Sequence, residues 1–121
     1  MVNLETTYMG LKLKNPLIVG SSGLTNSVEN IIEIEENGAA AVVLKSLFEE
    51  QISYSASNTL MQNEFGNYYP EAEDYIKQYT RMADVDRYLE LIKKAKSSVK
   101  IPIIASVNCV SNSEWIDFAK Q

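Results

Sequence analysis

The 121-residue sequence predicts an α/β fold built on a parallel sheet. Three short apolar runs rich in β-branched residues carry the reading: Pro16-Leu17-Ile18-Val19-Gly20, Ala40-Ala41-Val42-Val43-Leu44 and Ile101-Pro102-Ile103-Ile104-Ala105. Each is nearly continuous rather than alternating, the pattern of strands covered on both faces. Each is followed by a helical signal, and strands alternating with helices make βαβ units.

In chain order, residues 6–14 alternate weakly around Gly10 and read as a small β-hairpin ahead of the main sheet. Pro16 and Pro102 stand at strand starts, where a missing N–H is tolerated. The first run ends in Ser21-Ser22-Gly23. Asn26 is then a helix cap with Glu29 as its capping-box partner, and Val28, Ile31, Ile32 and Glu35 lead to a stop at Gly38. The second run ends in Lys45-Ser46, after which residues 47–83 form an insertion or lid. Within it, Phe48, Ile52, Ala56 and Leu60 recur every four residues and predict a helix. A turn-rich aromatic stretch and a short helix over 71–81 follow. The best helix covers 84–98: Val85, Tyr88, Leu89, Ile92 and Ala95 share one face, and Asp86, Glu90, Lys93 and Lys94 stay wet. The third run ends in Ser106-Val107-Asn108. Ser111 and Glu114 repeat the capping-box spacing before a helix over 113–121 that lacks a carboxyl-terminal cap signal.

Composition narrows the function. With 45% hydrophobic and 22% charged residues the chain reads as one soluble globular domain. Its longest apolar run, residues 39–44, is far below the ~20 residues of a membrane helix, so no membrane association is expected. The first residues lack the basic and apolar segments of a signal peptide, and the single cysteine, Cys109, cannot form an internal disulfide. A cytoplasmic location is the expectation. Sixteen acidic against eleven basic residues give a net charge of −5, which argues against nucleic acid as a partner. The absence of histidine removes Ser-His-Asp triads, Cys-His pairs and His-ligated metals. The carboxylates Glu49, Glu50, Glu64, Glu71, Glu73 and Asp74 have no metal-loop spacing, and no metal site is expected.

The strand ends carry the remaining chemistry. Ser21, Ser22 and Gly23 are small enough for backbone amides to approach a flat cofactor or a phosphate, although the same residues also make a plain strand-to-helix turn. Lys45 follows five apolar residues, so its ammonium emerges at a strand mouth. There it either stabilises an anion or simply reaches solvent along an apolar stem. Asn108 offers donors and an acceptor to a planar heterocycle, or caps the loop before Ser111. Cys109 has no evident activating base and reads as inert filler.

Taken in order, Gly10-Leu11-x-Leu13-x-Asn15-Pro16-Leu17-Ile18-Val19-Gly20-Ser21-Ser22-Gly23, Gly38-Ala39-Ala40-Ala41-Val42-Val43-Leu44-Lys45-Ser46 and Ile101-Pro102-Ile103-Ile104-Ala105-Ser106-Val107-Asn108 resemble the amino-terminal part of the dihydroorotate dehydrogenase family. The stretch Lys45-Ser46-Leu47-Phe48-Glu49-Glu50-Gln51 is similar to a dihydroorotate dehydrogenase-like branch. The resemblance implies that residues 1–121 are the first three or so βα units of a single FMN-binding (β/α)8 TIM barrel, apparently truncated, with the site at the carboxyl ends of the strands.

By position it implies FMN contacts from Ser21, Ser22, Gly23, Lys45, Ser46 and Asn108, and substrate contacts from Lys45 and Asn63. It also implies an oxidoreductase of pyrimidine biosynthesis that removes two hydrogens from a CH–CH bond, converting dihydroorotate to orotate. The family's loop pattern Asn-x-x-Gly-x-x-Asn is matched by Asn63 and Gly66, while its last position is Tyr69; a related cyclic acid is therefore the alternative substrate. The catalytic base is expected beyond residue 121, and Cys109 does not match its position. A small-molecule substrate and a homo-oligomer are the implied partners. The alternatives are a non-catalytic flavin- or anion-binding barrel and an inactive fragment serving as an interaction module.

Overall fold

A computed structural model describes residues 2–48, 70–108 and 115–120. The described chain divides into two compact units, one comprising Met1–Ser46 with Glu90–Ser106 and the other Leu47–Leu89 with Val107–Gln121.

The first unit opens with β1 (Thr6–Tyr8) and β2 (Leu11–Leu13), paired antiparallel with Tyr8 opposite Leu11. Met9 and Gly10 make the two-residue turn, with φ of 50° and 77°. Positive φ at both positions matches the right-handed twist of the flanking strands. Glycine adopts it freely, and methionine does so at a cost of about 1 kcal/mol.

Three strands then form a parallel sheet in the order β3 (Ile18–Val19), β4 (Ala41–Val43), β6 (Ile103–Ile104). Val42 pairs with Val19 on one side and Ile103 on the other. Being central, β4 is the driest part of the unit: Ala41, Val42 and the following Leu44 have no exposed surface. Leu13, Ala40 and Ala41 form one buried cluster, with Ile18 packed against it.

Between β3 and β4 the chain makes a 3₁₀ turn (Gly23–Thr25) and helix α1 (Val28–Glu36). The cap of α1 is Ser27, whose hydroxyl accepts from the Asn30 N–H, rather than Asn26. The reason is local: the 3₁₀ turn consumes residues 23–25, so Asn26 closes that turn before the helix can begin. Gly38 stops α1 as its position implies. Its N–H bonds the Glu35 carbonyl and the Ala39 N–H reaches back to Ile34, with Gly38 at φ 96°. These paired bonds satisfy carbonyls the helix end would otherwise orphan.

Two side chains tie this layout together. Asn15 donates to the Gly38 carbonyl and accepts from the Leu17 N–H, both at 2.9 Å, joining the entry of β3 to the turn before β4. Glu35, on α1, accepts from the Lys100 and Ile101 N–H groups at 2.7 and 3.0 Å, holding the lead into β6.

Helix α2 (Pro70–Ser98) runs unbroken for 29 residues, so the two helices expected over 71–81 and 84–98 are one. No glycine or proline lies between Glu71 and Ser98 to end a helix. Tyr88 and Ala95 are buried and Val85, Leu89 and Ile92 half-buried, while Asp86, Glu90, Lys93 and Lys94 are exposed. At its end, the Ser97 and Ser98 hydroxyls both donate to the Lys94 carbonyl at 2.8 Å.

The second unit holds a parallel pair of β5 (Leu47–Phe48) and β7 (Val107–Asn108), together with α3 (Trp115–Lys120). Phe48 therefore lies in a strand and not in the helix its spacing with Ile52 predicts. Val107 pairs with Leu47 and Asn108 with Phe48, so ladder pairing overrides a local period at that residue. Ile52, Ala56, Leu60, Asn63 and Tyr69 lie outside the described residues, as do Cys109 and the Ser111–Glu114 capping box.

Candidate functional site

The candidate site lies in the first unit, where residues following β3, β4 and β6 come together. Ser22 is extended, with φ −162° and ψ 179°, and its hydroxyl accepts from the Leu24 N–H at 3.2 Å. Its own N–H donates to the Thr25 Oγ1 at 3.3 Å, while the Thr25 hydroxyl donates to the Ser22 carbonyl at 3.1 Å. Serine and threonine three apart thus lock the turn by reciprocal bonds, a capping-box arrangement on a very short helix.

Thr25 is completely buried, and its carbonyl also accepts the Lys45 N–H at 3.4 Å. This bond joins the turn after β3 to the residue that carries the cation. The Lys45 side chain is exposed, and among the described residues its ammonium makes no hydrogen bond or ion pair. A cation left uncommitted at a strand mouth is available to an anionic or electron-rich ligand.

Ser46 is held more tightly. Its N–H donates to the Ser21 Oγ at 3.0 Å, its hydroxyl lies 3.1 Å from that same oxygen, and on the other side it lies 2.6 Å from the Ser106 Oγ. The hydroxyls of Ser21, Ser46 and Ser106 thus form one row across the ends of three parallel strands.

Gly23 bears on what the site can hold. A Cβ built on it meets no atom within 4 Å, and its φ is not positive. Neither backbone conformation nor a protein neighbour requires glycine there, so the absent side chain leaves open space beside the Ser21–Ser22 backbone. Small residues and amides along one edge, with hydroxyls that both donate and accept, are the kind of surface a flat, polar cofactor takes.

Five of the expected site residues, Ser21, Ser22, Gly23, Lys45 and Ser46, are therefore gathered in one unit. Asn108 is placed in β7 opposite Phe48, in the second unit, where it is exposed. Asn63 is not among the described residues. Two residues that sequence reasoning did not single out belong to the site. Thr25 had a legible signal, the Ser-x-x-Thr spacing from Ser22. Ser106 had none, because its partner is 60 residues away. Among the described residues no cluster of three or more acidic or cysteine side chains is placed to hold a metal ion, and no helix is long and apolar enough to cross a membrane.

Over 122 residues the sequence is 31% identical to the catalytic subunit of dihydroorotate dehydrogenase B (NAD(+)) of Thermoplasma acidophilum. The chain is a relative of the dihydroorotate dehydrogenases. The match takes in the whole of this chain, which spans 38% of the length of that curated relative. No family model and no solved structure matches the chain. The match to a dihydroorotate dehydrogenase thus runs through the hairpin, the three-stranded sheet and the serine row alike.

Proposed function

We propose that the chain is the amino-terminal portion of an FMN-dependent oxidoreductase of the dihydroorotate dehydrogenase type, acting on a CH–CH bond of dihydroorotate or a related cyclic acid within a (β/α)8 barrel. The observation that carries the proposal is the meeting of Ser21 and Ser46, with the exposed Lys45 next to Ser46 in the chain, at the ends of parallel strands. It is made on a chain matched over its whole length by a dihydroorotate dehydrogenase subunit. In open and closed parallel sheets alike, ligands bind outside the carboxyl ends of the strands.

Bound FMN supplies the two-electron acceptor. The residues of this chain bind and polarise. The Ser21–Ser22 backbone and the space at Gly23 would receive the flat ring. Lys45 would offset negative charge at the ring's polar edge and attract an acidic substrate. The Thr25 carbonyl and the Ser21 hydroxyl hold the backbone N–H groups of Lys45 and Ser46, so the cation is presented from a fixed backbone. No residue of this chain is assigned as the base.

The test is spectroscopic. The intact protein is expected to purify yellow and to bleach anaerobically with dihydroorotate. Lys45→Ala is expected to weaken FMN binding by about tenfold or more, the loss of one charge-assisted contact. Unchanged FMN affinity and turnover in Lys45→Ala would refute the site. A protein that binds FMN but never bleaches with dihydroorotate or other cyclic acids would be the non-catalytic flavin binder instead.

A further inference from the structure

We propose that the Asn37–Gly38 pair at the carboxyl end of α1 is a site of spontaneous deamidation, with its rate set by the helix cap and by Asn15. The proposal is independent of the flavin reading and uses none of its residues.

Asn37 is the only asparagine in the sequence followed by glycine, and its side chain is exposed. In the reaction the Gly38 nitrogen loses its proton and bonds to the Asn37 Cγ, and the side-chain nitrogen leaves as ammonia. Water then opens the succinimide ring at either carbonyl, giving aspartate or isoaspartate. The balance is one water consumed and one ammonia released, with no change of oxidation state. Glycine favours the step because no Cβ shields the attacking nitrogen and the backbone turns freely.

The folded cap opposes each part of that step. Asn37 has φ −80° and ψ 7°, which nearly eclipses the Gly38 nitrogen with the Asn37 nitrogen. Ring closure needs it eclipsed with the Asn37 Cβ instead. The Gly38 N–H is bonded to the Glu35 carbonyl at 3.0 Å, and the Asn37 Nδ2 donates to the Glu33 carbonyl at 2.8 Å. From outside the helix, the Asn15 Nδ2 donates to the Gly38 carbonyl at 2.9 Å and pins Gly38 to the entry of β3. Reaction therefore proceeds from molecules whose cap has opened, and helix ends open locally without global unfolding.

The product cannot rebuild the cap. An aspartate has no N–H for the Glu33 carbonyl, and its charge joins Glu33, Glu35 and Glu36 at the negative end of the helix dipole. Isoaspartate routes the main chain through Cβ and shifts Gly38 away from Asn15. Asn15 also accepts from the Leu17 N–H, and the Leu17 carbonyl accepts from the Ala40 N–H at 2.9 Å. The modification thus lands on the junction of β3 and β4.

The intact protein is incubated at mildly alkaline pH, folded and in guanidinium, and product at each asparagine is followed by peptide mass spectrometry. Asn26, exposed and followed by Ser27, is the internal reference. Asn37 is expected to react fastest of the asparagines in guanidinium, and about tenfold or more slowly in the folded protein. Asn15→Asp keeps the acceptor for Leu17 but removes the donor to Gly38. It is expected to speed the folded reaction at Asn37 by about three- to tenfold and leave Asn26 unchanged. Asn15→Ser takes its place if that variant does not fold, with thermal melts run on both. Equal rates at Asn37 in folded and unfolded protein would overturn the proposal, as would no product there in the folded wild type and variant alike. An Asn37 rate that the variant leaves unchanged, or a rise shared equally with Asn26, would also overturn it.

Discussion

Thr25 uses its hydroxyl twice and its carbonyl once, all without exposure to water: the hydroxyl accepts from Ser22 and donates back to it, and the carbonyl accepts from Lys45. Thr25→Val keeps the shape but strips both hydroxyl bonds, leaving the Ser22 carbonyl without that partner. A loss of about 1–2 kcal/mol is expected, read from a denaturant midpoint, while Thr25→Ser recovers most of it. A smaller loss with valine than with serine would show that packing, not bonding, holds the turn. Leu44 gives a contrasting case. It is fully buried with no polar role, and Leu44→Ala should cost about 2–5 kcal/mol through lost burial and the cavity left behind. At this scale the sequence is informative where partners are close. Ser22 and Thr25 are three residues apart and advertise their turn. Ser106 and Ser46 are 60 apart, and nothing local links them.

At the scale of elements, one carboxylate fastens a helix to a strand. Glu35 accepts two consecutive backbone N–H groups from Lys100 and Ile101, just before β6. Glu35→Ala is expected to destabilise the chain by about 1.5–3 kcal/mol, since charged acceptors make the stronger bonds and both donors would need new partners. Hydrogen exchange at the Lys100 and Ile101 amides should rise in the same variant; unchanged protection there would contradict the clamp. The hairpin offers the opposite sign. Met9 holds φ 50° while 73% exposed, so it bears backbone strain without burying its side chain. Met9→Asn should raise stability by about 0.5–1 kcal/mol, because asparagine adopts this conformation more readily and Asn-Gly suits the turn. The wet and dry faces over residues 85–95 were legible because a helix writes its burial into the sequence every three or four positions. The unbroken length of α2 was less so: the polar residues at its middle look like a boundary, yet nothing in them breaks a helix.

For the whole molecule, exposed apolar surface is the governing feature. Val2, Leu17 and Leu24 are all more than half exposed in the first unit, and β3 and β6 each pair on one side only among the described residues. Strand edges and apolar patches of this kind are met by other protein surface. The isolated 121-residue chain is therefore expected to self-associate, with a sedimentation coefficient that rises with concentration. A single monomeric species across a ~100-fold concentration range would count against this.

The sequence by itself determined the hairpin, the three strands of the parallel sheet and the helix between the first two, the stop at Gly38 and the small residues and lysine at the strand ends. All of these are written in neighbouring residues, through period, caps and turn chemistry. Only the tertiary structure decided which strand ends meet. Parallel strands are brought together across long connections, and their register depends on packing that no local pattern records. Register places Asn108 opposite Phe48, and the Ser106 hydroxyl lies against Ser46, next to Lys45.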